Sequence, residues 1–223
     1  MIPYIALILS VIIGYTVAVF LNTKDSNRFS LLLAFSGAFL LSVTVFEYLP
    51  ELYESSDGSL GVFIMAGILI QLILDFFSKG AEHGHIHINK LDKRFPLALF
   101  LSLSIHSLLE GVPVTDNDHM LYSVVIHKIP IAAILGVFLM GSGFKSWIVM
   151  VFLGGFAIMS PIGAYLSQNL EMLQEYLPYL NAIVVGIFLH VSTTILFESN
   201  KNHSFNLSKF IVVLIGILLA YFL

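Results

Sequence analysis

Residues 95–113 read FPLALFLSLSIHSLLEGVP. A helix needs about 20 mostly apolar residues to cross the hydrocarbon core of a bilayer, and this stretch meets that length. It nevertheless carries His106 and Glu110, which are four positions apart and therefore share one helix face. Ionisable residues inside a membrane span are costly and are functional candidates by default. The stretch predicts a transmembrane helix with polar chemistry near its middle.

The composition of the whole chain agrees with this reading. Of 223 residues, 58% are hydrophobic and only 11% are charged, whereas about a quarter of the residues in a soluble domain are charged. Lipid must therefore be the solvent for most of the chain. No basic run is present that would serve a nucleic acid, which excludes that class of partner. The chain has no cysteine, so a metal site would have to use imidazole, carboxylate, hydroxyl or backbone oxygen.

Further apolar stretches of similar length precede and follow this one. The predicted spans are 2–21, 30–50, 60–79, 95–113, 120–140, 145–167, 177–197 and 207–223. We therefore predict an all-α integral membrane protein with eight transmembrane helices, forming a single transmembrane domain over residues 1–223. The longest connection, 80–94, separates the third span from the fourth.

The charges sort by connection. Every basic residue except Lys128 lies in or beside an odd-numbered connection, and the even-numbered connections hold acidic residues and no basic one. By the positive-inside rule the odd connections are cytoplasmic, so both termini are predicted outside and the 80–94 loop is predicted inside. We expect a multi-pass protein of the cell membrane, either a plasma membrane or a bacterial inner membrane.

The fifth span carries a second polar group. Residues 122–138 read YSVVIHKIPIAAILGVF, which places His127 and Lys128 inside the membrane. The short link to the fourth span predicts that the two helices are neighbours, with His127 at a depth similar to that of His106. Imidazole and carboxylate ligands bind borderline metals such as zinc, ferrous iron or manganese, without selecting among them. We therefore predict a metal site formed by His106, Glu110 and His127, with the Ser107 hydroxyl as a weaker ligand.

Other intramembrane polar residues are ambiguous. His190 in the seventh span is either a metal ligand or a histidine hydrogen-bonded to a neighbouring helix. Glu47 in the second span is either a solvated rim charge or a ligand where the metal enters. Asp75 lies four positions after Gln71, and we interpret these two residues as a pair that satisfies helix packing.

The 80–94 loop contains an alternating histidine cluster. Its residues 82–87 read EHGHIH, with His83, His85 and His87 as candidate ligands. Such a cluster on a cytoplasmic loop can hold a metal transiently, and the alternative is a short polar loop without that role.

Several of these motifs resemble one known family. The residues HSLLEG at 106–111 and HKIP at 127–130 resemble the fourth- and fifth-span signatures of the ZIP (Zrt/Irt-like) metal transporters. The residues SPIG at 160–163 are similar to the sixth-span segment of the family, EYLPE at 47–51 to its second-span motif, and GIFLH at 186–190 to its seventh-span run.

The resemblance implies a fold and a function. It implies a ZIP-like bundle that moves a divalent metal toward the cytoplasm, with zinc favoured and iron or manganese as alternatives. The ligand positions would be His106, Ser107, Glu110 and His127. It implies no enzyme activity and no cofactor, since the metal is the cargo, and it implies partners that are the metal ion, the lipid bilayer and a second copy of the chain in a homodimer.

The chain also departs from the family pattern. Some members hold a second metal where this chain has Lys128, and a protonated lysine cannot be a metal ligand. We predict that its ammonium group replaces the second metal and pairs with Glu110. The second-span histidine of the family is replaced by Glu47, which weakens the transfer of a metal site to that position.

One alternative from another class is a membrane-embedded zinc-dependent hydrolase. It would use similar ligands, but it needs an open metal position and a general base. The chain contains no H-E-x-x-H motif.

Overall fold

The computed structural model describes residues 1–20, 26–54, 60–78, 80, 95–115, 117–198 and 207–223. These residues are almost all helical. The α-helices are α1 (Ile2–Phe20), α2 (Ser26–Val43), α3 (Leu49–Glu54), α4 (Leu60–Ser78), α5 (Leu97–Glu110), α6 (Asp118–Gly141), α7 (Ser146–Asn169), α8 (Glu171–Gln174), α9 (Leu177–Glu198) and α10 (Leu207–Tyr221).

Among the described residues, seven helical segments are long and apolar enough to cross a membrane, which makes this a multi-pass membrane protein. They correspond to the first seven predicted spans, with bounds that differ by a few residues. The last helix, α10, has 15 residues and covers about 22 Å at 1.5 Å per residue, less than the hydrocarbon core of about 30 Å. The eighth span and the location of the termini therefore stay predictions.

The second span is longer than the sequence predicted and is not a regular α-helix throughout. A π-helical turn, Thr44–Tyr48, joins α2 to α3. Pro50 lies two residues after this turn and cannot donate a backbone hydrogen bond to the carbonyl of the residue four before it. The wider turn lets the chain pass this defect without ending the span.

Several pairs of helices cross closely because glycine faces backbone at the contact, and α4 with α9 and α5 with α7 are two of them. A Cβ added to Gly67 of α4 would collide with the carbonyl of Ile183 in α9, and one added to Gly186 of α9 would collide with the carbonyl of Ile64. A Cβ at Gly111, just after α5, would likewise collide with the carbonyl of Ser160 in α7. Small residues permit such crossings inside a membrane.

The predicted fourth and fifth spans are not tightly packed against each other. α5 packs mainly on α7 and α4, while α6 packs mainly on α1 and α2. The short link does not force α5 and α6 together, because it forms a 3₁₀ turn, Val112–Thr115, that packs between α6 and α7. The backbones stay apart, and long polar side chains span the distance between them.

The polar residues of α5 and α6 lie between two apolar clusters. Val112 and Val124 belong to the first cluster, whereas Leu103 and Ile131 belong to the second. Along α5 the chain passes the second cluster before it reaches the polar residues. Along α6, which runs in the opposite direction, it passes the first cluster before it reaches them. The fold thus forms one polar layer inside the bundle, away from both ends.

Candidate metal centre

Three potential metal ligands converge in this polar layer. His106 and Glu110 of α5 and His127 of α6 each offer a ligand atom, and these atoms all lie within 4.8 Å of one another. All three side chains are buried. Within the part of the chain that the structure describes, this is the group of histidine and acidic residues with metal-binding geometry. The sequence predicted this triad.

The two oxygens of the Glu110 carboxylate face different partners. Oε1 lies 3.5 Å from Nε2 of His106, on the side of the triad. Oε2 lies 2.7 Å from Nζ of Lys128. One oxygen is thus available to a metal beside His106, while the other is engaged by the ammonium group.

Lys128 is held from three sides. Besides Glu110, its Nζ donates to Oγ of Ser107 at 2.8 Å and lies 4.5 Å from the ring centroid of Phe156. The side chain is only 1% exposed. A buried cation needs such compensation, which a carboxylate, a hydroxyl and an aromatic face supply here. The ion pair with Glu110 is the one that the sequence predicted.

Ser107 is part of this support and also joins α5 to α7. Its backbone carbonyl accepts a hydrogen bond from Oγ of Ser160 at 2.6 Å, and the two hydroxyl oxygens lie 3.0 Å apart. The crossing at Gly111 brings the two helices close enough for these contacts. The Ser107 hydroxyl thus faces Lys128, with which it shares a hydrogen bond.

The second ring nitrogen of His106 faces away from the triad, toward α4. Nδ1 lies 2.9 Å from Oε1 of Gln71, whose Nε2 donates to Oδ1 of Asp75 at 2.9 Å. The other carboxylate oxygen of Asp75 lies 2.8 Å from Nε2 of His190 in α9. The predicted Gln71–Asp75 pair is present, but the sequence did not reveal its links to His106 and His190. The spacing of four on α4 was the one available signal, and it does not say which helices that face meets.

The remaining sequence candidates lie outside the triad. His190 pairs with Asp75 and is not a member of the triad. Glu47 lies on the π-helical turn and is exposed. The loop histidines His83, His85 and His87 lie outside the described residues.

Comparison with known proteins gives a consistent picture. No family model matches the chain. The chain is 29% identical to protein zntD of Dictyostelium discoideum over 62% of its own length and 24% of that protein. It is 28% identical to zinc transporter ZIP1 of Takifugu rubripes over 60% of its own length and 49% of the relative. With zinc transporter ZIP1 of Danio rerio the identity is 35%, over 37% of this chain and 29% of the relative.

The matched region thus spans no more than half the length of each of these relatives. Two of the three are named ZIP1, and the sequence motifs on α5 and α6 resemble the same family. The resemblance that the sequence indicated is therefore confirmed, since the chain is similar to proteins named as ZIP1 zinc transporters.

Proposed function

We propose that this protein carries a divalent metal ion, with zinc the favoured cargo, across the membrane toward the cytoplasm. The observation that carries the proposal is the buried His106–Glu110–His127 triad, whose ligand atoms lie within 4.8 Å of one another between lipid-exposed helices. Two imidazoles and a carboxylate can replace part of the water shell that a borderline metal loses in lipid. The names of the relatives support zinc as the cargo.

The ligands would be one nitrogen from each histidine and Oε1 of Glu110. Oε2 of Glu110 would stay with Lys128, whose ammonium would take the place that a second metal ion occupies in some members of the family. Ser107 would act through Lys128. The inward direction rests on the family resemblance.

The charges of the site suit temporary binding. With neutral histidines, Glu110 and Lys128 cancel, so a divalent ion brings about two positive charges into a buried layer. That excess opposes very tight retention, because like charges repel strongly where water is scarce. A carrier has to release its cargo, so this balance favours transport over permanent structural binding.

A membrane-embedded hydrolase is the less favoured reading. It needs a spare acid or base beside the metal, and the Glu110 carboxylate is already shared between the triad and Lys128. The relatives are also named for zinc transport.

Zinc uptake into proteoliposomes tests the proposal. The purified chain is reconstituted around a lumenal zinc indicator, and external zinc is added. We expect the wild type to accumulate zinc in the lumen and H106A/H127A to lose that uptake, since two of the three ligands are gone. A hydrolase would give no lumenal accumulation.

The matched control is H119A. His119 lies on the same helix as His127, near its beginning, and is not in the triad. H119A should therefore retain uptake near the wild-type rate. Full uptake by H106A/H127A would rule out this site.

A further inference from the structure

Gln71 lies where its side-chain amide has only one suitable orientation. A carboxylate in its ionised form can only accept hydrogen bonds, so the end of the Gln71 amide that faces Asp75 is the NH₂ end. The donor Nε2 indeed lies 2.9 Å from Oδ1 of Asp75. The carbonyl end, Oε1, is thereby directed to the ring of His106, 2.9 Å from Nδ1.

This orientation decides which tautomer His106 adopts. A carbonyl oxygen accepts and cannot donate, so Nδ1 of a neutral His106 must carry the proton. The lone pair then lies on Nε2, the nitrogen that faces Glu110 Oε1 in the triad. A neutral imidazole binds a metal through its unprotonated nitrogen, and a hydrogen bond at the other nitrogen orients the ring.

The helices that carry this arrangement are held close together. Ser102 of α5 donates to the carbonyl of Leu74 in α4 at 2.6 Å, which is one of several contacts between these two helices. On the other side, the glycine crossing of α4 and α9 brings His190 to Asp75, with Nε2 and Oδ2 2.8 Å apart. Asp75 is therefore anchored by an imidazole that donates to it.

We propose that Gln71 is a positioning residue, oriented by Asp75, which keeps His106 in the Nδ1-protonated tautomer and so presents Nε2 to the metal. The His190–Asp75 pair anchors the carboxylate that orients the amide. The inference rests on the proposed function for its metal, but the tautomer itself is a property of the metal-free protein.

The test uses three variants of the full chain. Q71L removes the acceptor for Nδ1–H. D75N lets the amide of Gln71 take either orientation, because an Asn side chain can donate as well as accept. Q71E/D75N exchanges the acid and the amide, so that residue 71 again presents an acceptor to His106 and residue 75 presents a donor to residue 71.

Zinc uptake kinetics and ¹⁵N spectra of His106 give independent readouts. We expect Q71L to raise the KM for zinc about 10-fold or more, the size typical of losing the partner of a metal-bound histidine. D75N should raise it less, and Q71E/D75N should return it toward the wild-type value. In metal-free protein in lipid, Nδ1 of His106 should be the protonated nitrogen in the wild type and in Q71E/D75N, and Nε2 should become protonated in Q71L.

S102A is the control for packing alone. It removes the α4–α5 hydrogen bond to Leu74 but leaves the Gln71 amide in place. It should lower thermal stability while KM and the His106 tautomer stay as in the wild type.

The failures are distinguishable. An Nδ1-protonated His106 in Q71L, or a Q71E/D75N variant no better than D75N, would overturn the role of Gln71. If the wild type takes up no zinc, the proposed function fails, and the ¹⁵N spectra still decide the tautomer.

Discussion

Lys128 and Glu110 form an ion pair in the middle of the bundle, with Nζ 2.7 Å from Oε2 and both side chains almost fully buried. Breaking a buried pair by removing one partner leaves the other charge uncompensated, at a cost of about 3–5 kcal/mol. In this protein the pair also adjoins the proposed metal site. Loss of Glu110 and loss of Lys128 should therefore have different effects on metal binding.

Removal of Lys128 should increase the affinity of the site for metal or the number of ions that it binds. In K128M the Glu110 carboxylate loses its partner, so metal-free protein should be less stable and zinc should restore more stability than it does in the wild type. We expect tighter zinc binding or a second bound ion per chain, measured by thermal unfolding with and without zinc and by metal analysis.

The control for K128M is K209M. Lys209 is also a largely buried lysine on a helix, but its Nζ donates to the carbonyl of Leu196, away from the triad. K209M should leave zinc affinity and stoichiometry unchanged. If K128M matched the wild type in affinity, stoichiometry and transport, the lysine would not stand in for a second metal.

Neutralising the acid should separate stability from metal binding. E110Q keeps the shape of the side chain but leaves Lys128 as an uncompensated buried cation, so both stability and zinc uptake should fall sharply. The double variant E110Q/K128M removes both charges and should recover much of the stability without recovering uptake. Thermal unfolding and proteoliposome uptake measure the two effects.

An acidic residue outside the triad provides the comparison. Glu51 accepts a hydrogen bond from Asn117 at an exposed position. E51Q should therefore change neither thermal stability nor zinc uptake appreciably. Uptake by E110Q/K128M at the wild-type rate would show that the carboxylate is not a ligand.

The crossing of α5 and α7 should not tolerate a methyl group. In G163A the new Cβ would collide with the carbonyl of Leu108, next to Ser107, and overpacking of this kind costs about 1–3 kcal/mol. Gly154 lies on the same helix with open space beside it, so G154A should be neutral or stabilise the helix by up to about 1 kcal/mol. Thermal unfolding in detergent measures the stability of both variants. Equal stability of G163A and G154A would contradict this prediction.

Competition should follow ligand chemistry. Magnesium and calcium prefer sets of oxygen ligands, whereas imidazole suits borderline metals. A large excess of magnesium or calcium should therefore leave zinc uptake unchanged, while iron(II), manganese, cobalt or cadmium should reduce it. Inhibition by magnesium at concentrations similar to that of zinc would contradict a histidine-based site.

The sequence alone predicted the seven apolar spans of the described residues and the members of the triad. Uninterrupted apolar length is a local property, so it predicted seven spans that the structure contains. The spacing of His106 and Glu110 is also local, because residues four apart share a helix face. The Lys128–Glu110 pair followed from the need to compensate a charge in lipid, with few acidic groups at the same depth.

Tertiary structure alone decided which faces of different helices meet. The sequence predicted that α5 and α6 pack as neighbours, yet their backbones stay apart and only their long side chains meet. The sequence paired Gln71 with Asp75 but gave no sign that this pair joins His106 to His190. Helix rotation and partner choice depend on where small residues allow close crossings, and these crossings involve residues far apart in the chain. Sequence periodicity therefore identified the side chains of the triad, whereas the glycine crossings decided which helices meet beside them.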